Sequence, residues 1–131
     1  MIVLDASALV DVVADRPLKA AVLEHLDQPI VAPGHQLAEV TSAVGRLLRA
    51  GELSQGTAKR ALSDAAQLIQ QVELLDERLI LRAFALRGSL RIADALYVAL
   101  AEQRRCPLLT TDGRLARADP PCEVIFPGVA R

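Results

Sequence analysis

Five short extended pieces separated by helical periodicities organise this chain. The apolar run Met-Ile-Val-Leu at residues 1 to 4, closed by Asp5, is of the kind that forms a strand buried on both faces of a parallel sheet. Ala6 to Ala14, rich in Ala, Val and Leu, predicts a helix that Asp5 or Ser7 can cap. Pro17 then fits the first turn of a second helix running to about Leu26, and Pro29 to Pro33 is a brief extended piece. From His35 to Arg49 the apolar positions Leu37, Val40, Val44, Leu47 and Leu48 recur at helical spacing, with Gly51 as the stop signal. Ala58, Ala61, Leu62, Ala65, Leu68 and Ile69 repeat that spacing and predict another amphipathic helix.

The second half continues the alternation. Val72 to Leu75 is a candidate short strand, and residues 76 to 87 read as a helix ended by Gly88. Ile92, Ala95, Leu96, Ala99 and Leu100 mark the next helix, with Arg104 and Arg105 placed to favour its C-terminal dipole. Pro107 to Thr111 is a strand, Arg114 to Ala118 a short helix, and Glu123 to Phe126 a last strand. Strands alternating with helices imply an α/β fold with a mostly parallel central sheet and helices on both faces. No repeat, low-complexity tract or linker interrupts the 131 residues, so one domain over 1–131 with a single core is expected.

Composition narrows the function classes. Aromatic residues make up 2% of the chain, which leaves little material for stacking bases of a single strand. A net charge of −1 and a pI near 6.1 do not advertise a nucleic-acid binder. The chain does carry 13 Arg against 2 Lys, and the arginine fork suits bidentate phosphate contact, although codon preference explains the bias as well. Cys106 and Cys122 are too few for a disulfide framework and read as reduced, half-buried thiols. No leader or apolar run of membrane-spanning length is present, so a cytoplasmic protein without a membrane partner is expected.

The chemistry concentrates in four acids set against apolar sequence. Asp5 and Asp112 follow strands, whereas Glu39 and Asp94 lie in the first turns of mostly apolar helices. Ligands of open α/β sheets bind beyond the carboxyl ends of the strands, and helices that start at that edge would bring all four acids there. Two carboxylates about 4 Å apart repel by roughly 4 kcal/mol at an effective dielectric near 20, so such a cluster calls for cations. Hard oxygen donors suit Mg²⁺ or Mn²⁺, and a pair of such ions serves phosphodiester hydrolysis.

Four segments, Met1-Ile-Val-Leu-Asp-Ala-Ser-Ala-Leu-Val, Leu37-Ala-Glu-Val, Ile92-Ala-Asp-Ala-Leu-Tyr-Val-Ala-Leu-Ala and Leu108-Leu-Thr-Thr-Asp-Gly-Arg-Leu, resemble PIN-domain ribonucleases. The nearest resemblance is to the VapC-type toxins of bacterial toxin–antitoxin systems, in the right order over nearly the whole chain. It implies a PIN-like three-layer sandwich and a Mg²⁺- or Mn²⁺-dependent endoribonuclease that cuts RNA by a metal-activated water. It also implies inhibition by a cognate antitoxin protein and a homodimeric state. Asp5, Glu39, Asp94 and Asp112 match the family's metal-binding acids, and Ser7 with Thr110 or Thr111 match positions whose hydroxyls support them.

Taken singly, each acid has a plainer explanation. Asp5 can be a helix cap, Glu39 a solvated helix acid, Asp94 a first-turn acid favoured by the dipole, and Asp112 before Gly113 a turn residue. Their joint order favours the metal site. Asp11 and Asp15 are expected outside the core set, with Asp11 near its rim, and Tyr97 reads as a core or interface residue. His35 and Glu39 are spaced i, i+4, but without a second nearby histidine they do not make a zinc site. Arg87, Arg91, Arg114 and Arg117 flank the site segments and are candidates for phosphate contact, or simply solubilising charge.

Competing functions fit less of the sequence. An aspartyl phosphotransferase would want an acid where Ser7 stands, a receiver domain would want a late lysine, and no nucleotide-binding glycine loop is present. Two readings stay open beside the toxin: a PIN-fold binding protein that does not cleave, and a housekeeping PIN nuclease acting on ribosomal RNA precursors or DNA.

Overall fold

The computed structural model describes residues 1–128. Its five strands are β1 (Ile2–Leu4), β2 (Ile30–Pro33), β3 (Gln71–Glu73), β4 (Leu108–Leu109) and β5 (Val124–Ile125). They form one parallel sheet in the order β3-β2-β1-β4-β5. Seven helices connect them: α1 (Ala6–Val13), α2 (Lys19–Leu23), α3 (Gln36–Arg49), α4 (Gln55–Gln67), α5 (Glu77–Ala85), α6 (Ile92–Arg104) and α7 (Gly113–Arg117). Helices α1 to α4 pack on one another as one layer, while α6 lies across β1, β2 and β4 with α5 against it. The result is the expected three-layer α/β sandwich.

Local chemistry explains most boundaries. β1, β2 and β4 are buried along their whole lengths, which is why they read as continuous apolar runs rather than alternating ones. Ser54 and Asp76 cap α4 and α5 by accepting the N–H groups of Thr57 and Leu79. Helix α3 stops where Gly51 takes φ 77°, a conformation that costs glycine nothing. The middle of α6 from Asp94 to Ala101 is buried all round, since it fills the gap between the sheet and α5.

Several expectations need correction. The second helix is short: α2 begins after Leu18 and ends at Leu23, because His25 and Leu26 donate to the carbonyls three residues back and tighten the chain into turns. Ile69 lies outside α4 and is 92% exposed, and Ile92 is also exposed at the start of α6. β3 is an edge strand with exposed Gln71 and Val72. Asp5 occupies the N-cap position of α1 but makes no side-chain cap.

Candidate active site at the carboxyl edge of the sheet

The topology sets where chemistry can occur. From β1 the chain runs outward through β2 to β3 and then returns to place β4 on the other side of β1. The order therefore reverses between β1 and β4, and the crevice beyond their carboxyl ends is a natural ligand site. A cleft of about 590 Å³ opens there, with Asp5, Glu39, Asp94 and Asp112 all in its wall. Ser7, Asp11, Arg46, Arg91 and Thr111 also line it.

Asp5 is the deepest of the four, 5% exposed. Its Oδ2 accepts from the Ser7 hydroxyl at 2.6 Å and the Thr110 hydroxyl at 2.7 Å. Both hydroxyls spend their proton on Asp5 and accept in turn from the backbone, Ser7 from the Thr111 N–H at 3.1 Å and Thr110 from the Asp112 N–H at 3.0 Å. The carboxylate thereby ties the end of β1 to the loop after β4. Burial nevertheless raises its pKa to about 6, with the charges of Asp94 and Glu39 pushing the same way against the two hydroxyls. Among the described residues the Thr111 hydroxyl makes no hydrogen bond in this network, and Thr111 lines the cleft with Asp11.

Glu39 is placed by residues whose sequence gave no sign of that role. Gln36, 1% exposed, donates to the Leu4 carbonyl at 2.9 Å and pairs with Gln70, which fixes the start of α3 beside the end of β1. The Tyr97 hydroxyl then donates to Glu39 Oε1 at 2.7 Å. Tyr97 is fully buried, and burial together with the charges of Asp5 and Glu39 keeps its phenol protonated far above the usual range. His35 sets its ring against Tyr97 with centroids 4.8 Å apart and planes tilted by 50°, and donates from Nε2 to the Ala93 carbonyl at 2.9 Å, while among the described residues its buried Nδ1 has no hydrogen-bond partner. This Gln36, His35 and Tyr97 frame aligns the first turns of α3 and α6, which carry Glu39 and Asp94.

Asp94 and Asp112 are held by arginines. Asp94 Oδ2 lies 3.2 Å from Arg91 Nε and 3.9 Å from Arg114 Nη2. Arg114 Nη2 also meets Asp112 Oδ2 at 3.0 Å. Asp112 caps α7, its Oδ1 accepting from the N–H groups of Arg114 and Leu115. Burial works against its charge, but the Arg114 pair and these N–H groups outweigh it and hold the carboxyl below its ordinary range.

The four acids are thus not equivalent. Asp5, Glu39 and Asp94 each have one oxygen oriented by a protein donor, and among the described residues their other oxygen makes no hydrogen bond. That donor set fits a hard divalent cation. Asp112 has both oxygens engaged within its own turn and with Arg114. Among the described residues no group of three or more acids, histidines or cysteines is gathered closely enough to hold a metal ion as the side chains stand, so the acids would have to draw together around a cation. Arg46, on the same face of α3 as Glu39 seven residues earlier, lines the cleft and makes no ion pair among the described residues. Of the flanking arginines considered from sequence, Arg87 instead covers the Phe84 ring at 4.1 Å.

The family profile described as "PIN domain" matches residues 2–120. This chain belongs to the PIN-domain family. Within it, the chain is 43% identical over 126 residues to ribonuclease VapC3 of Mycobacterium tuberculosis, covering 95% of this chain and 91% of the relative. Ribonuclease VapC1 of the same organism is 39% identical over 125 residues, covering 93% and 94%. The solved structure of M. tuberculosis VapC20, described as a sarcin-ricin loop cleaving toxin, superposes with a TM-score of 0.70 at 17% identity, covering 92% of this chain and 96% of that one. The sequence relatives place this PIN domain among the VapC ribonucleases, and the VapC20 likeness supports the fold. Among the described residues, no helix is long and apolar enough to cross a membrane.

Proposed function

We propose that this PIN domain, acting as one unit over residues 1–131, is the toxin of a type II toxin–antitoxin pair and a metal-dependent endoribonuclease. Membership among the VapC ribonucleases supports the activity. The observation that carries the assignment to this cleft is the set of three carboxylates, Asp5, Glu39 and Asp94, each with one oxygen held by the protein and the other left open. These three are the proposed ligands of Mg²⁺ or Mn²⁺, and Asp112 is the fourth acid, recruited from its pair with Arg114.

Bound divalent cations supply Lewis acidity and lower the pKa of a water for attack on phosphorus. The protein's own contribution is positional. Ser7 and Thr110 hold Asp5 by one oxygen, Tyr97 does the same for Glu39, and Thr111 braces Ser7 through its backbone N–H. Arg46 and Arg91 stand at the cleft wall and are the proposed contacts to the RNA backbone, where a guanidinium can grip two phosphate oxygens. Water rather than a side chain or the ribose 2′-hydroxyl is the proposed nucleophile and the 3′-oxygen the leaving group, which takes up a proton, so the products carry a 5′-phosphate and a 3′-hydroxyl.

A cognate antitoxin as inhibitor, a homodimeric state and a cytoplasmic location complete the reading. Exposed Ile80, Leu81 and Phe84 on α5 support an interface with another chain, since a cluster of large exposed apolar side chains marks interaction surfaces. The test is cleavage of RNA by the purified, antitoxin-free protein with Mg²⁺ or Mn²⁺, with product ends identified. A 2′,3′-cyclic phosphate product would overturn it, because that end requires attack by the ribose hydroxyl.

A further inference from the structure

The two cysteines stand together at the opposite end of the sheet from the acidic cleft. In the parallel pair of β4 and β5, Leu108 is opposite Val124 and Leu109 opposite Ile125. Cys106 and Cys122 each lie two residues before the first paired residue of these strands, so extending the register past the ladder brings both to the same end of the β4–β5 pair. Paired strands lie about 4.8 Å apart and a disulfide spans roughly 4.4–6.8 Å between Cα atoms, so two chain segments entering one ladder from the same end start within reach of such a bond. Both thiols are free, half-buried, and line one small cavity with Ala101, Glu102, Arg105 and Glu123.

The backbone on each side is anchored. Cys106 N–H donates to the Ala101 carbonyl at 3.1 Å as α6 ends, after Arg105 has turned the chain with φ 53°. Leu108 N–H takes the Glu123 carbonyl at 2.9 Å, which holds the residue after Cys122 against β4. A bond between the sulfurs would therefore join two positions that lead directly into paired strands. The segment it encloses carries β4, Asp112 and α7.

We propose that Cys106 and Cys122 are a redox pair that closes an intramolecular disulfide between β4 and β5 when the protein meets a peroxide. One thiolate attacks a peroxide oxygen and becomes a sulfenic acid as the first water leaves. The second thiol attacks that sulfur and expels the second water, so two thiols and one hydrogen peroxide give one disulfide and two waters. Burial pushes both thiols up, Cys122 to about 11, so the pair responds to sustained oxidant rather than to traces.

The experiment treats the full-length protein with hydrogen peroxide, quenches it, and counts free thiols in denaturant beside intact mass and peptide mapping. The expected result is loss of both thiols, a mass lower by two hydrogen atoms, and one linked pair of peptides containing Cys106 and Cys122. The oxidised protein should melt roughly 10 °C higher, as closing a loop of this length implies, and dithiothreitol should reverse the shift. Cys106→Ser and Cys122→Ser should each abolish the shift and retain one titratable thiol. Two thiols surviving, sulfinic acid on a single cysteine, or a cross-link between two chains would each overturn the pairing.

Discussion

Replacing Asp5 by asparagine in the metal-free protein should stabilise it at neutral pH. In the folded chain the Asp5 carboxyl titrates at about 6 against an ordinary 3.8, chiefly because burial removes its water, with Asp94 and Glu39 adding repulsion. At about 1.36 kcal/mol per pKa unit, the ionised form costs the fold about 3 kcal/mol. The sign follows from proton binding. Between pH 3.8 and about 6 the folded state holds a proton that the unfolded state has released, so stability falls as pH rises through that window and levels off above it. Asparagine keeps an oxygen to accept from Ser7 and Thr110 but carries no charge. In EDTA, urea unfolding at pH 7.5 should show Asp5→Asn more stable than wild type by about 1–3 kcal/mol, and the gap should close at pH 4. A variant equal to or weaker than wild type at pH 7.5 would refute the strained-carboxylate account. So would a gap that does not shrink in acid.

The other acids and their partners should behave differently. Asp112→Ala should cost about 1 kcal/mol in urea unfolding because it removes the cap of α7, whereas Asp112→Asn should keep most of that stability; its depressed carboxyl contributes stability above the ordinary pKa of 3.8 that is lost as pH falls through the lower folded value. Tyr97→Phe, which deletes the donor to Glu39, should weaken Mn²⁺ binding by about 10- to 100-fold in calorimetry without RNA, and unchanged affinity would remove Tyr97 from the site. Arg114→Gln should strengthen Mn²⁺ binding by about two- to fivefold, since the guanidinium competes with the cation for Asp94 and Asp112.

What could be read from the chain follows from which interactions are local. Buried parallel strands print themselves as apolar runs, so Met1 to Leu4 and Leu108-Leu109 located β1 and β4, and Asp5 and the residues after Leu109 fell at the reactive edge. The Asp112-Gly113 pair was legible as a turn, and the structure uses Asp112 there as the cap of α7. Helical spacing did not reveal that α4 ends before Ile69, because an apolar residue continues a periodicity whether or not the backbone does.

Beyond the Ser7 and Thr110 hydroxyls on Asp5, which the family resemblance named, the support of the acids was not legible, because it arises between distant segments. Tyr97 reaches Glu39 and His35 reaches Ala93 across 58 positions, and Gln36 reaches Leu4 across 32. Gln36 and His35 are polar residues near a helix start, where a sequence gives solvation and burial equal standing. Only the packing of α3 against β1 and α6 decides. Arg46 did carry a signal, its seven-residue spacing from Glu39 on one helix face, and that spacing could have named it.

Cleavage itself is the most direct test of the central claim. The antitoxin-free protein should cut RNA with Mg²⁺ or Mn²⁺, leave 5′-phosphate ends, and lose that activity both in EDTA and as Asp94→Ala, a variant that should still fold. Cleavage that persists in EDTA or in the folded Asp94→Ala variant would contradict an active site built on these carboxylates.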